Sequence, residues 1–128
     1  MSKQIIHTNA APAAVGPYSQ AVSVTGGQLV FLSGQIPLHP DTGELVTESF
    51  EAQVKQAFAN MQAVIEAAGG DLNSIVKLTL YLTDLNNFSV VNDIMASVIP
   101  EPFPARSTVG VASLPKGAAF EVEAIIAV

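Results

Sequence analysis

The sequence predicts an α+β fold in which two helices cover one face of a single mixed β-sheet. Hydrophobic residues recur every three or four positions in residues 47–68 and again in 87–98, which is the period of an amphipathic helix. Residues 75–83 and 120–128 alternate instead, as strands do when only one face is buried. Crossovers through a helix between parallel strands are almost always right-handed, so both helices should pack on the same face and leave the other face uncovered.

The amino-terminal strands surround a pair of glycines. Apolar runs at residues 21–24 and 29–32 lie on either side of Gly26-Gly27, and this arrangement predicts a β-hairpin. We expect a further short strand at Ile5-Ile6.

The first helix is the most regular segment of the sequence. Glu48 and Glu51 suit the positive amino end of a helix, and Gly69-Gly70 is placed to end it. The apolar positions expected to face the sheet are Phe50, Val54, Phe58, Met61, Ile65 and Ala68.

The carboxy-terminal half of the chain continues the strand pattern. We predict strands at residues 106–112 and 120–128, joined by a turn at 114–117. A hairpin between these two strands would set Arg106 roughly opposite Glu121. On the strand at 75–83, the residues expected to face the helices are Val76, Leu78, Leu80 and Leu82.

Length and composition limit the class of protein. The 128 residues correspond to one domain, 1–128. Charged residues make up 12%, about half of the ~25% of an average domain, while hydrophobic residues reach 49%. A small chain with so few charges is expected to cover part of its surface with copies of itself, so we predict a homo-oligomer.

Several classes of partner and cofactor are disfavoured. A net charge of −6 opposes binding to phosphate backbones, and no nucleic-acid partner is expected. The absence of cysteine excludes disulfides and thiolate metal sites, while His7 and His39 lack the spaced partners of a metal site. The glycine pairs match no nucleotide-binding motif, so we expect neither metal nor cofactor. Without a membrane-spanning stretch or a signal-peptide pattern, the predicted location is cytoplasmic, with no membrane partner.

Arg106 is the most informative single residue, because it is the only arginine and stands at the start of a strand. Its planar guanidinium suits a carboxylate or a phosphate, and a structural salt bridge is an equal alternative. Glu121 could activate a water molecule if the hairpin brings it to Arg106. The commoner alternative for a strand glutamate is a solvated surface position.

Two further residues allow more than one interpretation. Asn92 could hydrogen-bond a ligand, but an exposed position beside Asp93 on the second helix is favoured. Tyr18 follows Gly16-Pro17 at a junction between loop and strand, where it could form the wall of a pocket. Packing is the commoner role for such a tyrosine.

Ordered motifs run through essentially the whole chain. They are AAVGPYSQ at 13–20, SGQIP at 33–37, TDLNNF at 83–88 and PARSTV at 104–109, followed by LPK at 114–116 and EVEA at 121–124. Together these segments resemble the Rid family (RidA/YjgF), the reactive intermediate imine deaminases.

The resemblance implies a chorismate-mutase-like fold, a homotrimer and sites in the clefts between subunits. It also implies hydrolysis of small 2-imino acids to 2-oxo acids and ammonia. The expected substrates are 2-iminobutanoate and 2-iminopropanoate with its enamine tautomer 2-aminoacrylate, which are products of pyridoxal-phosphate-dependent dehydratases. The protein itself would need no cofactor.

The resemblance also assigns roles to individual residues. Arg106 would pair with the substrate carboxylate, and Glu121 would position or activate the water. The residues expected to line the pocket with Arg106 are Tyr18, Ser33, Gly34, Asn92 and Thr108. Many members of the subfamily have cysteine where this chain has Thr108, and the segment 98–102 is shorter than in many relatives, so the range of substrates could differ.

Two other classes of function are consistent with parts of the sequence. The same cleft could hold a small carboxylate or 2-oxo acid without turnover, in a regulatory or holdase trimer. A ribonuclease role is sometimes attached to this family, but the net charge of −6 and the single arginine argue against it.

Overall fold

A computed structural model describes residues 1–128, and it confirms the α+β fold class. A four-stranded mixed sheet has the order β3-β6-β4-β5, and a separate two-stranded ribbon pairs β1 with β2. The strands are β1 (Ser2–Ile6), β2 (Ala21–Thr25), β3 (Leu29–Phe31), β4 (Ile75–Leu82), β5 (Ala105–Gly110) and β6 (Phe120–Ala127), and the helices are α1 (Phe50–Ala67) and α2 (Phe88–Val98).

Helix α1 forms where the hydrophobic period predicted it. The side chain of Ser49 accepts a hydrogen bond from the backbone N–H of Ala52, which satisfies one of the free donors of the first turn. The helix therefore begins at Phe50, three residues later than expected. Its buried face consists of Val54, Ala57, Phe58, Met61 and Ile65.

Both helices pack on the same face of the four-stranded sheet, as predicted. Leu78, Leu80 and Leu82 of β4 are fully buried, and they belong to a cluster of 18 buried residues that also includes residues of β6 and of both helices. Phe120, Val122, Ala124 and Ile126 of β6 join this cluster, which explains the alternation along the strand as far as Ile126. The opposite face of the sheet carries no helix.

The predicted hairpin between β2 and β3 is wrong. All five residues of β2 pair with β1, whereas β3 pairs with β6. Gly26 and Gly27 do have positive φ angles, of 72° and 77°, which glycine adopts without strain. However, Gln28 bonds to Val128 through both backbone groups immediately after the turn, so the chain joins the edge of the large sheet instead of returning along β2.

The start of β4 departs from strict alternation. The register with β6 shifts between Ile75 and Lys77, which marks a β-bulge. As a result Ile75 is fully buried, and Val76, which was predicted to face the helices, is only half-buried.

The predicted hairpin between the last two strands is also wrong. Strand β5 pairs in parallel with β4, and β6 lies on the other side of β4 in antiparallel orientation. Helix α2 makes the crossover from β4 to β5, which is the connection that parallel neighbours require. The two strands that carry Arg106 and Glu121 are therefore not neighbours.

None of the helices is both long enough and apolar enough to cross a membrane.

Candidate active site

Arg106 projects from β5 toward helix α2. It is paired with Leu78 in the parallel register, and paired residues point to the same face of a sheet. Its Nη1 donates a hydrogen bond to Oδ1 of Asn92 over 2.6 Å and lies 3.6 Å from the sulfur of Met95. Asn92 is half-buried, so the exposed position favoured from the sequence is wrong.

Two aromatic rings hold the guanidinium of Arg106. Its Cζ lies 4.8 Å from the ring centroid of Tyr18 and 5.2 Å from that of Phe88. Such stacking restricts the plane of the guanidinium and adds a cation–π attraction. A Cβ on Gly16 would lie only 3.3 Å from Nη2 of Arg106, so the glycine leaves room for the group.

The loop that carries Tyr18 is attached to the chain just before β5. The backbone N–H of Ser19 donates to the carbonyl of Pro104 over 2.9 Å, and its hydroxyl donates to the carbonyl of Phe103 over 2.5 Å. The Tyr18 hydroxyl in turn accepts from the backbone N–H of Val15. This attachment positions the ring of Tyr18 against Arg106 and defines one wall of a pocket.

The pocket has a volume of about 290 Å³ and brings together four of the predicted site residues. It is lined by Val15, Tyr18, Phe88, Asn92, Arg106 and Thr108. The hydroxyl oxygen of Thr108 is buried and has no hydrogen-bond partner. An unpaired buried hydroxyl costs free energy, so a ligand that supplied a partner would gain that energy on binding.

The pocket has a positive charge that no carboxylate neutralises. The only ion pair in the chain joins Lys55 to Glu51 on α1, so the alternative of a structural salt bridge for Arg106 is wrong. Burial lowers the pKa of the Arg106 guanidinium and Tyr18 acts in the opposite direction, but an arginine stays charged throughout the physiological range. The pocket therefore offers a preorganised site for a small anion.

Glu121 lies on the opposite face of the sheet. It is paired with Tyr81 of β4, whereas its neighbours Phe120 and Val122 point into the core. Its carboxyl group has no hydrogen-bond donor in the chain and lies against Gly34, where a Cβ would be 1.8 Å from Oε2. Burial, and secondarily the charge of Glu123, raise the pKa of the Glu121 carboxyl group.

Gly34 and Ser33 accompany Glu121, not Arg106. After the pair Phe31–Ile125, the chain again meets β6 at the bridge between Gln35 and Val122, so one extra residue bulges from this edge. Gly34 lies in the bulge, and exposed Ser33 precedes it. The structure thus divides the predicted residues into two groups on opposite faces of the sheet, and Arg106 and Glu121 of one chain do not meet.

The role of Phe88 was not predicted from the sequence. The residue entered only as part of the hydrophobic period of residues 87–98, but its ring lies against the Arg106 guanidinium at the start of α2. Phe88 and Asn92 are four positions apart and thus share a helix face, and this spacing was the signal in the sequence that could have placed Phe88 at the site.

No group of three or more His, Cys, Asp and Glu side chains is arranged to hold a metal ion.

Comparison with known proteins gives a consistent result over nearly the full chain. Residues 8–128 match the family described as Endoribonuclease L-PSP. A 2-iminobutanoate/2-iminopropanoate deaminase of Dermatophagoides farinae is 48% identical over 126 residues, which cover 98% of this chain and 97% of that protein.

Solved structures agree with this match. The crystal structure of RidA from the Antarctic bacterium Psychrobacter sp. PAMC 21119 is 50% identical, with a TM-score of 0.77 and coverage of 98% of this chain and 99% of that one. The structure of E. coli TdcF with bound serine is 40% identical, with a TM-score of 0.73 and 98% coverage of both chains.

The fold and the pocket define a small α+β protein whose single arginine lines a pocket and has no carboxylate partner. The chain belongs to the Endoribonuclease L-PSP family, which is the RidA/YjgF family that its motifs resemble.

Proposed function

We propose that this protein is a 2-iminobutanoate/2-iminopropanoate deaminase, which hydrolyses small 2-imino acids to 2-oxo acids and ammonia. The observation that carries the proposal is the unneutralised Arg106 guanidinium, held against two aromatic rings in a pocket that suits a small carboxylate. The name of the relative from Dermatophagoides farinae supports the same activity.

In this proposal Arg106 binds the substrate carboxylate. Asn92 occupies one N–H of the guanidinium, and the remaining donors are free for a bidentate contact. The Thr108 hydroxyl adds a further donor from the same pocket wall. Charge-assisted hydrogen bonds of this kind contribute about 1.5 to 3 kcal/mol each.

Glu121 acts as the general base that activates water in this proposal. The carboxylate accepts a proton from water as the water oxygen bonds to the carbon of the protonated imine, and the π electrons of the C=N bond pass to nitrogen. Glu121 then returns that proton to the nitrogen of the carbinolamine and takes the hydroxyl proton as the C–N bond breaks, so the products are ammonia and a 2-oxo acid. A positioned general base contributes about 10² to 10⁴ in rate, and the electrophilic imine carbon needs neither metal nor cofactor.

The two groups of residues require a second copy of the chain. Arg106 and Glu121 point to opposite faces of one sheet, so a cleft that contains both must form between subunits. The face that carries Glu121 also exposes apolar side chains, since Phe31 is 71% exposed, Leu29 54% and Val109 42%. We propose that this face is covered in a cytoplasmic homotrimer of single-domain chains.

Binding without turnover is the second candidate function. The TdcF structure contains serine, an amino acid with the carboxylate that the Arg106 pocket would bind. In this alternative the pocket would hold a 2-oxo acid or amino acid as a signal.

The deciding experiment couples a threonine or serine dehydratase to the protein and follows the decay of the imine absorbance. We expect wild type to accelerate the decay and Arg106→Ala to abolish the acceleration while the oligomer persists in sedimentation analysis. Lys55→Ala is the matched control, because it removes an exposed cation from α1. Tight 2-oxo acid binding without acceleration would favour the second candidate.

A further inference from the structure

Two pairs of side chains from β4 and β6 lie together on the sheet face that carries no helix. Tyr81 of β4 is directly opposite Glu121, and Thr79 is directly opposite Glu123. The Tyr81 hydroxyl nevertheless donates to Oε1 of Glu123 over 2.6 Å. The tyrosine thus reaches the diagonal carboxylate and leaves its direct neighbour without a donor.

The other groups around Glu121 bring no compensating charge. Lys77 lies on the same face of β4 and lines a pocket together with Glu123, but its Nζ donates to the Ser107 hydroxyl on β5 and to neither glutamate. The edge segment 32–35 has no titratable group, and His39 lines the groove beyond Gly34. The Glu123 carboxylate is therefore the charge of this chain that acts on Glu121.

We propose that Tyr81 and Glu123 are positioning residues that control Glu121. Their hydrogen bond holds a second negative charge two residues away on the same strand and face, and it occupies the Tyr81 hydroxyl, which belongs to the residue directly opposite Glu121. Glu121 is thereby left free to bind and deprotonate water. The inference rests on the proposed function in one respect, which is that Glu121 acts as the general base of imine hydrolysis.

The electrostatics agree with the geometry. Burial and the charge of Glu123 both raise the pKa of Glu121. The bond to Glu123 raises the pKa of Tyr81 to about 12, so the phenol remains a donor throughout the assay range. A general base must be deprotonated, and a raised pKa therefore places the acid limb of the pH–rate profile above the ~4.3 of an ordinary glutamate.

The first test compares the acid limb of imine hydrolysis in wild type and Glu123→Gln, with the dehydratase in excess. We expect the limb to move to lower pH by roughly half a pH unit, which is the scale of one charge at this separation. At pH values below the midpoint of the acid limb, the rate of imine hydrolysis should then be about threefold higher in the variant than in wild type. Tyr81→Phe should cause a smaller shift in the same direction, because the freed carboxylate spends time away from Glu121.

Glu48→Gln is the matched control, since it removes one exposed negative charge ahead of α1. We expect Glu48→Gln to leave the midpoint of the acid limb unchanged. Arg106 of a neighbouring copy would enter the same cleft, but its charge is common to all these variants and does not affect the comparison.

A second test does not depend on turnover. The ¹³C carboxyl resonance of Glu121, assigned by its loss in Glu121→Gln, is titrated in wild type and Glu123→Gln. A downward shift of its midpoint in the variant supports the inference even if no imine is hydrolysed, in which case the proposed function alone fails. An unchanged titration midpoint of Glu121 in Glu123→Gln overturns the inference. If Glu123→Gln shifts the pH–rate profile but Tyr81→Phe does not, Tyr81 has no part in controlling Glu121.

Discussion

Arg106 is restrained by two aromatic rings and by a hydrogen bond. Tyr18 and Phe88 stack on it, and Asn92 accepts from Nη1. A side chain held in this way loses little further rotamer freedom when it binds a carboxylate, so more of the contact energy appears as affinity. A lysine would lack both the planar stacking and the fork of parallel donors.

Thr108 tests whether the hydroxyl group itself binds substrate. We expect Thr108→Val to lower kcat/KM about tenfold through KM, because it removes one hydrogen bond to a charged carboxylate while conserving volume. Since Oγ1 has no partner in the chain, thermal unfolding should show no loss of stability. Steady-state kinetics and calorimetry measure the two quantities.

Thr108→Ser keeps the hydroxyl and is the matched control. Equal kcat/KM in all three proteins would show that only main-chain groups of Thr108 matter.

At the scale of elements, β6 links the core to the candidate site. Phe120 begins the strand in the core, with its ring 5.8 Å from Phe58 and 6.3 Å from Phe50. The next residue, Glu121, points to the uncovered face. The packing of one face of β6 therefore sets the position of the carboxyl group on the other face.

We expect Phe120→Ala to reduce the free energy of unfolding by about 3 to 5 kcal/mol, because it leaves a cavity between α1 and the sheet. Urea denaturation measures this change. Val64→Ala on the exposed side of α1, where the side chain is 39% exposed, should cost no more than about 0.5 kcal/mol. Similar losses for the two variants would contradict the assigned core.

For the whole molecule, the decisive feature is the placement of Arg106 and Glu121 on opposite faces of one sheet. No side-chain rotation can bring two groups together through a layer of backbone. The exposed apolar residues beside Glu121 supply a surface that another chain can cover. Assembly is thus a chemical requirement of the proposed reaction as well as a matter of stability.

Mixing two inactive variants tests this requirement. In a cyclic trimer built at random from Arg106→Ala and Glu121→Gln chains, about one quarter of the clefts combine two intact halves, so about one quarter of the activity should return. The measurement is imine decay after unfolding and refolding the two proteins together. Separately refolded proteins mixed without exchange are the control, and recovery in neither sample would indicate a site within one chain.

The sequence by itself determined the local features of this protein. Hydrophobic period predicted both helices, the core face of β6 and most of that of β4, because burial imposes a repeat that is visible within one segment. The motifs identified the family, residue chemistry marked Arg106 and Glu121 as candidates, and the resemblance to the family added Thr108.

Only the tertiary structure decided which strands pair and which side chains meet. The glycine turn suggested that β3 returns along β2, but β3 joins β6, and α2 places β5 beside β4 instead of β6. The physical reason is that strand pairing depends on distant apolar surfaces, whereas a turn reports only its own few residues. Because side chains alternate along each strand, these long-range pairings placed Arg106 and Glu121 on opposite faces of the sheet.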